Sequence, residues 1–384
     1  MGEEMNSRQR LETALNHQEP DRVPNDLGGA VTGITAGANE ALTACLGLPG
    51  DSPVVDRVQQ LVRPSEALLD RLCVDTRYVY LSPPQDGGEI ELPGDIYQDE
   101  FGVRRRAAIN EDGRLLYYDF TGEPPLARAE TVADIARYPW PDPHDPARYE
   151  GLGERVRQVV ETTGKAVIVN AIASIFELSW YLRGYAQFYM DLITDPTLVE
   201  ALLTAAREYQ MAQVEEILDR AGQHVSVVLT GSDLGTQRAP SLSPSVYRWL
   251  VWPHYRQLWD MIKRKTNAKI FYHSCGSIYP MIPFLVEGGV DILHPIQARA
   301  ANMEDRKRLK QEFGRDLTFW GGFDQQGVLA FGSVEQVREE AKRLLDDFMP
   351  GGGYVFVSGH NIQTGVPPEN VLALYDTIHE YGRY

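Results

Sequence analysis

Cysteine is nearly absent from this 384-residue chain. Cys45, Cys73 and Cys275 are too few and too scattered for a disulfide framework, so a small cross-linked secreted scaffold is excluded and Cys275 is expected to be a reduced thiol, free to act as a ligand. Long apolar runs are missing too. No stretch approaches the roughly 18 uninterrupted apolar residues that cross a bilayer, and the opening residues Met1 to Arg8 carry neither the basic nor the apolar segment of a secretory signal, which gives the expectation of a cytoplasmic protein. Positive charge is in deficit: 37 Lys and Arg against 54 Asp and Glu give a formal charge of −17. Nucleic acid and anionic membrane are therefore excluded as partners, because both would be repelled at long range. Finally, no glycine fingerprint follows the first apolar run, which removes the argument for dinucleotide binding on an open, doubly wound sheet.

What is present is a series of short, β-branched or aromatic runs. These are Arg22-Val23-Pro24, Tyr78 to Leu81, Ala166 to Val169, Val225 to Leu229, Lys269 to Tyr272, Asp291 to Leu293, Leu317 to Trp320 and Tyr354 to Val357. Continuous apolar runs of this length suit strands buried on both faces, and the segments between them are long enough for crossover helices, as in Pro244 to Lys263 and Val334 to Phe348. Eight such units predict a single α/β domain over residues 1–384, a (β/α)₈ (TIM) barrel with an N-terminal helical extension. Asn6 to Leu15 and Ala30 to Leu69 read as helical cover. Between the second and third strands, about residues 84–150, lies an insertion punctuated by turn signals at Gly87-Gly88, Tyr97 to Gly102 and Asn110 to Arg114. It predicts extra β-strands near the barrel mouth, with Tyr138 to Pro143 as a stiff, proline-rich return.

Chemistry in such a barrel sits past the C-terminal ends of the strands. The residues expected there are Asp26, Asp75, Asn170 with Glu177, Asp233 with Gln237, His273 with Cys275, His294 with Gln297, Asp324 with Gln325, and His360 with Asn361 and Gln363. The pair His273 and Cys275 combines an imidazole with a soft thiolate, the ligand types zinc prefers. His360, if its strand ends at the same mouth, completes a three-ligand set that leaves a fourth position for water, substrate or Glu177; the alternative is a hydrogen-bond donor with no metal. Asp233 reads as a general acid or base, or an orienting carboxylate, against helix capping as the plain alternative. Glu177, a charge among apolar neighbours, is expected to face the cavity with a raised pKa, against an ion pair with Arg183. Gln237, Asn361, Gln297, Tyr272 and Asp26 are assigned to substrate binding, and Phe176, Trp180, Tyr181 and Trp320 join Tyr272 as pocket aromatics. His17, His144, His224, His254 and His379 are expected at the surface or in packing.

Several segments together resemble the uroporphyrinogen decarboxylase superfamily: Arg8-Gln9-Arg10-Leu11 to Asp21-Arg22-Val23-Pro24; His273-Ser274-Cys275-Gly276; Gly289 to Gln297; Gly321-Gly322-Phe323-Asp324; and Gly359-His360-Asn361-Ile362 with Val366 to Val371. The resemblance spans nearly the whole chain and implies the same single barrel. Decarboxylases of porphyrinogens carry an arginine-bearing loop after the Arg-Val-Pro motif, whereas this chain has Asn25-Asp26-Leu27-Gly28-Gly29-Ala30, which cannot clamp carboxylates. The His-x-Cys motif is similar instead to the zinc-dependent methyl-transfer branch, in which thiol-activating members place a second cysteine where His360 stands. An imidazole there leaves the metal more Lewis-acidic. The resemblance thus implies a corrinoid-dependent methyltransferase of the O-demethylase kind. Its cofactors would be Zn²⁺ and a corrinoid on a separate partner protein, and its methyl donor a methoxylated, aromatic small molecule. Asp233, Glu177 and His360 would be catalytic, and His273, Cys275 and His360 would hold the metal. Methylcobamide:thiol methyl transfer and decarboxylation of a carboxylated substrate stay open as alternatives, as does a homodimer.

Overall fold

A computed structural model describes residues 5–384. After a helix over Ser7–Leu15, the strands in chain order are β1 (Val54–Asp56), β2 (Leu61–Val62), β3 (Thr76–Val79), β4 (Ile90–Leu92), β5 (Ile96–Gln98), β6 (Arg104–Ile109), β7 (Leu115–Phe120), β8 (Ala166–Val169), β9 (Val227–Gly231), β10 (Lys269–His273), β11 (Ile292–His294), β12 (Thr318–Trp320) and β13 (Tyr354–Val355). Seven of them form a curled parallel sheet in the order β13-β12-β11-β10-β9-β8-β3. The eighth stave is Pro24 to Asp26. Phe356 N–H donates to Pro24 O at 2.9 Å, Asp26 N–H to Phe356 O at 2.9 Å, and Asp75 N–H to Asn25 O at 2.8 Å, which joins the two edges and closes a TIM barrel. The expected first strand, Arg22 to Pro24, lies two residues early, because Pro24 has no N–H to give and the pairing starts from its carbonyl.

The helix Ser7–Leu15 begins at Asn6, whose side chain accepts from Gln9 N–H while Gln9 reaches back to the Asn6 amide. Its Leu11 and Leu15 enter the end of the barrel from which the strands start and pack with Ile168, Leu229, Phe271, Ile292 and Val355. That end is therefore filled with side chains, and the opposite end is left as the mouth.

Residues 84–150 contain the antiparallel sheet β4-β5-β6-β7. The Asn110 to Arg114 turn joins β6 to β7, but Tyr97 and Gln98 belong to β5, so the second turn begins only at Asp99. Phe120 of this sheet packs on Trp180 and Tyr181, and Arg105 lies over Phe120 and Tyr181. The inserted sheet thus rests on the helix Ile175–Arg183, which carries Glu177. The segment 30–69 is not all helix: besides Ala36–Leu46 and Glu66–Arg71 it holds the β1-β2 hairpin. Among the described residues, no helix is long and apolar enough to cross a membrane.

Candidate metal centre and active site

Strand β10 points Phe271 and His273 inward and Ile270 and Tyr272 outward, as alternation requires. His273 stands opposite Gly231 on one side and His294 on the other. Beyond its end the chain turns through Ser274 to Gly276 and meets the loop after β9. Ser277 N–H donates to Thr236 O at 2.7 Å, and Leu234 N–H to Ser274 Oγ at 2.9 Å. The approach depends on Gly276, whose φ is +87° and where a Cβ would come within 2.4 Å of the Gly235 backbone. The two loops together seat Asp233 against Cys275: the Cys275 amide donates to Asp233 Oδ1 at 2.7 Å, and His273 Nε2 lies 3.4 Å from the same oxygen.

His360 arrives on the loop after β13. Gln325 holds that loop, accepting from His360 N–H through Oε1 and donating through Nε2 to Asn361 O at 2.7 Å. One ligand atom each from His273, Cys275 and His360 lies within 4.8 Å of the others, and this is the one such trio of metal-ligating side chains among the described residues. Cys275 Sγ is 3.6 Å from His273 Nε2.

The electrostatics suit a cation. Burial, then the charges of Asp233 and Glu177, push the Cys275 thiol well above its ordinary range, so without a neighbouring cation it keeps its proton. Burial lowers His360 to about 4 and His294 well below the usual imidazole range, so both rings are neutral at neutral pH, the form that ligates metals. The donor set of two imidazoles and one thiol, beside a carboxylate, therefore fits zinc. The Asn361 amide donates to His360 Nδ1 at 2.7 Å, and ligation through either nitrogen gives up this bond: at Nδ1 the ion takes the lone pair, and at Nε2 the ring hydrogen must move to Nδ1.

Glu177 and Asp233 are driven apart. Burial, then the charge of Asp233, pushes Glu177 up to about 8; its Oε2 accepts from Ser174 Oγ at 2.9 Å. Burial also works against ionised Asp233, but the hydrogen bonds from His273 and the Cys275 amide outweigh it and hold Asp233 below the usual carboxylate range. At neutral pH the pair is one acid and one carboxylate, the division of labour acid–base sites use. The alternative ion pair of Glu177 with Arg183 does not form, because Arg183 pairs with Asp191 at 2.7 Å.

A cavity of about 350 Å³ opens beside the trio, lined by Cys275, Gln297, Phe323, Gln325, Gln363 and His360 among others. Arg299, the one arginine among its described lining residues, is paired with Asp324. A larger, open hollow of about 970 Å³ lies at the other end of the barrel, between Arg8 and Lys269, and holds no such cluster.

Several expected site residues stand elsewhere. Tyr272 is fully buried on the outer face of β10 against Tyr255 and Trp259, since His273 facing inward forces its neighbour outward. Asp26 is fully buried in the barrel interior, where Thr76, Tyr78 and Trp320 donate to its carboxylate, so it cannot meet a substrate and Trp320 is its partner, not a pocket wall. Asn361 is fully buried and committed: Oδ1 accepts from Gly33 N–H at 2.6 Å and Nδ2 donates to Ala30 O and Gln59 Oε1. Asp75 precedes β3 and so lies at the closed end. Phe176 is core. Gln237 is on an exposed loop tip, while Gln297 lines the cavity with Oε1 accepting from Gly276 N–H at 2.7 Å. Asp324 caps the turn at Gly327, and His254 is buried beside Glu200. Sequence reasoning gave Ser174 and Ser232 no place in the site; it put Gln325 and His294 at the strand ends but without the roles they take, Gln325 as support of the His360 loop and His294 as neighbour of His273, the last readable only from strand register.

The match to the uroporphyrinogen decarboxylase (URO-D) family model covers residues 116–381, more than half of the chain. The chain belongs to the URO-D family. Members similar to it include uroporphyrinogen decarboxylases of Neisseria meningitidis, 24% identical over 283 residues (71% of this chain, 75% of the relative), and of Thioalkalivibrio sulfidiphilus, 25% identical over 283 residues (70% and 75%). A methyltransferase structure from Methanosarcina mazei shares the fold, with a TM-score of 0.64 and 18% identity over 98% of this chain and 99% of that one. In this chain Asn25 and Asp26 of the stave are fully buried, and the stretch Asn25 to Ala30 supplies no guanidinium to the mouth.

Proposed function

We propose that this URO-D family enzyme is a substrate:corrinoid methyltransferase, moving a methyl group from a methoxylated small molecule to the Co(I) of a corrinoid carried on a separate protein. The observation that carries the reading is the meeting of His273, Cys275 and His360 within 4.8 Å, beside a glutamic acid that keeps its proton at neutral pH. Held by those three residues, zinc would supply a Lewis acid toward the departing oxygen. Glu177 would give that oxygen its proton, and ionised Asp233 would hold the Cys275 loop in place through the Cys275 amide. The cavity wall of glutamines and Phe323, with its arginine already paired, suits a neutral aromatic ether over a free carboxylate. In-line displacement at a methyl carbon needs the accepting metal centre over the mouth, so the corrinoid protein must dock there. The M. mazei methyltransferase shares the fold and so agrees with the reading without fixing the donor.

The test joins metal content to turnover. Wild-type protein is expected to hold one zinc per chain and to methylate the reduced corrinoid protein from at least one donor in a panel of methoxylated aromatics, methanol and glycine betaine. His273→Ala and Cys275→Ala should lose both properties. A metal-free wild type that releases CO₂ from a carboxylated donor would overturn the reading in favour of decarboxylation.

A further inference from the structure

Beside the trio, one titratable side chain takes no part in the reaction just described. His294 is fully buried at the end of β11, directly across from His273 on β10. Its Nδ1 is 2.8 Å from His273 Nδ1, Phe271 lies alongside its ring at 5.1 Å between centroids, and its Nε2 is buried with no hydrogen-bond partner.

Two nitrogen lone pairs at that separation repel, so one of the two Nδ1 atoms must carry a hydrogen. For two neutral rings this leaves two arrangements. In the first, His294 Nδ1–H donates to His273 Nδ1. His273 then has its own hydrogen on Nε2, pointing at Asp233 Oδ1 at 3.4 Å and Cys275 Sγ at 3.6 Å, with no lone pair to offer a cation. In the second, His273 Nδ1–H donates to His294 Nδ1, the His273 Nε2 lone pair faces the cluster, and the His294 hydrogen moves to Nε2. That second arrangement is the ligating one, and it strands a buried N–H. An orphaned buried donor is disfavoured relative to an unpaired acceptor, so the metal-free protein should rest in the first arrangement.

We propose that His294 is a positioning residue for the metal centre, whose Nδ1 accepts from His273 Nδ1–H in the cation-bound state and so keeps the His273 Nε2 lone pair on the ion. The inference rests on the reading of His273, Cys275 and His360 as metal ligands. Two hydrogens reside on the ring pair in both arrangements, so binding exchanges the tautomers of both rings without releasing a proton from them. Partners of this kind behind a ligating imidazole typically change metal affinity 10–100-fold when removed.

The experiment uses the full chain, stripped of metal and titrated with Zn²⁺ alone against a competing chelator. His294→Phe fills the space but cannot accept, and should weaken zinc binding about 10–100-fold. His294→Asn places an amide oxygen close to the lost Nδ1 and should recover most of that affinity, while its smaller side chain lowers the unfolding temperature of the metal-free protein more than Phe does. Affinities that follow the order of stabilities instead would mean a packing role and overturn the proposal. Independently, ¹⁵N NMR of the wild-type imidazoles should find the His294 hydrogen on Nδ1 without zinc and on Nε2 with it; one tautomer in both states overturns the exchange, and this measurement decides even where a variant fails to fold. Zinc bound no more tightly by wild type than by His273→Ala would sink the metal centre itself. Tight, His273-dependent binding left unchanged in His294→Phe would sink only the role of His294.

Discussion

The two ends of the barrel both bury polar groups, and they treat them in opposite ways. At the closed end, Arg10 reaches Asp21 and Asp75, each at 2.7 Å, and Arg22 adds a second guanidinium to Asp75 at 2.8 Å, with Ser7 and the Asn25 amide also donating to Asp75. Every carboxylate there has an opposite charge. At the mouth, the Asp233 carboxylate stands near a glutamic acid that burial and that charge keep protonated, three imidazoles crowd together, and burial with the neighbouring carboxylate holds a thiol protonated. A cluster that satisfies itself is built for folding. A cluster of neutral donors around one buried carboxylate is left without a counter-charge that a bound cation can supply, and this contrast sets the mouth apart from the closed end without reference to any relative.

The comparison breaks most visibly at Asp75. Asp75→Ala leaves Arg10 and Arg22 buried with fewer partners, and removing one member of such a buried set typically costs about 3–5 kcal/mol. Cys275→Ala at the mouth, measured metal-free, should cost ~1 kcal/mol or less, because it removes a neutral thiol and no buried partner of opposite charge. Urea unfolding of both variants checks the pair. Equal losses would mean that the mouth is as much a folding element as the closed end.

How much of this was legible beforehand depends on the kind of signal. The apolar runs marked all seven sheet strands because a strand buried on both faces needs no other pattern, and the turn residues at Gly87-Gly88 and Asn110 to Arg114 marked the inserted sheet. The β1-β2 hairpin escaped because strands of three and two residues, joined through Arg57 to Gln60, show no alternation. In the site, residue chemistry at strand ends was enough to group His273, Cys275 and His360. Side-chain direction and partner supply were not readable: Tyr272 follows its strand outward, and Asp26 and Asn361 spend their hydrogen bonds inside the protein. Those outcomes depend on register between strands far apart in the chain, which a one-dimensional pattern does not carry.

Glu177 sharpens the contrast in the other direction. Burial and Asp233 raise its pKa to about 8 before any cation is bound, and a cation beside it lowers that value, so a role as proton donor predicts single-turnover methyl transfer that falls as pH rises, with a midpoint no higher than about 8. Glu177→Gln cannot donate an acidic proton. It should lower the rate by roughly 10²–10⁴-fold and abolish the alkaline fall, with little change in zinc content. A Gln variant that is slow yet still declines over the same pH range would assign that limb to another group.

Asp26 tests the smallest difference, because it lies between the two ends and belongs wholly to neither. It has hydrogen-bond donors on its carboxylate, like the closed end, but no counter-charge, like the mouth, and burial outweighs Thr76, Tyr78 and Trp320 to raise it to about 6. The sign follows from that direction. A carboxyl that holds its proton more tightly folded than unfolded favours the fold below its unfolded pKa of about 4, and this contribution is lost as pH rises through about 6. A displacement of that size is worth roughly 2–3 kcal/mol. Asp26→Asn keeps the shape and never ionises, so the difference in unfolding free energy between variant and wild type should shift in favour of the variant between pH 4 and 6 and stay level above. A difference flat across that range would mean that the three donors hold Asp26 ionised throughout, and that a buried carboxylate can be sustained here by hydrogen bonds alone.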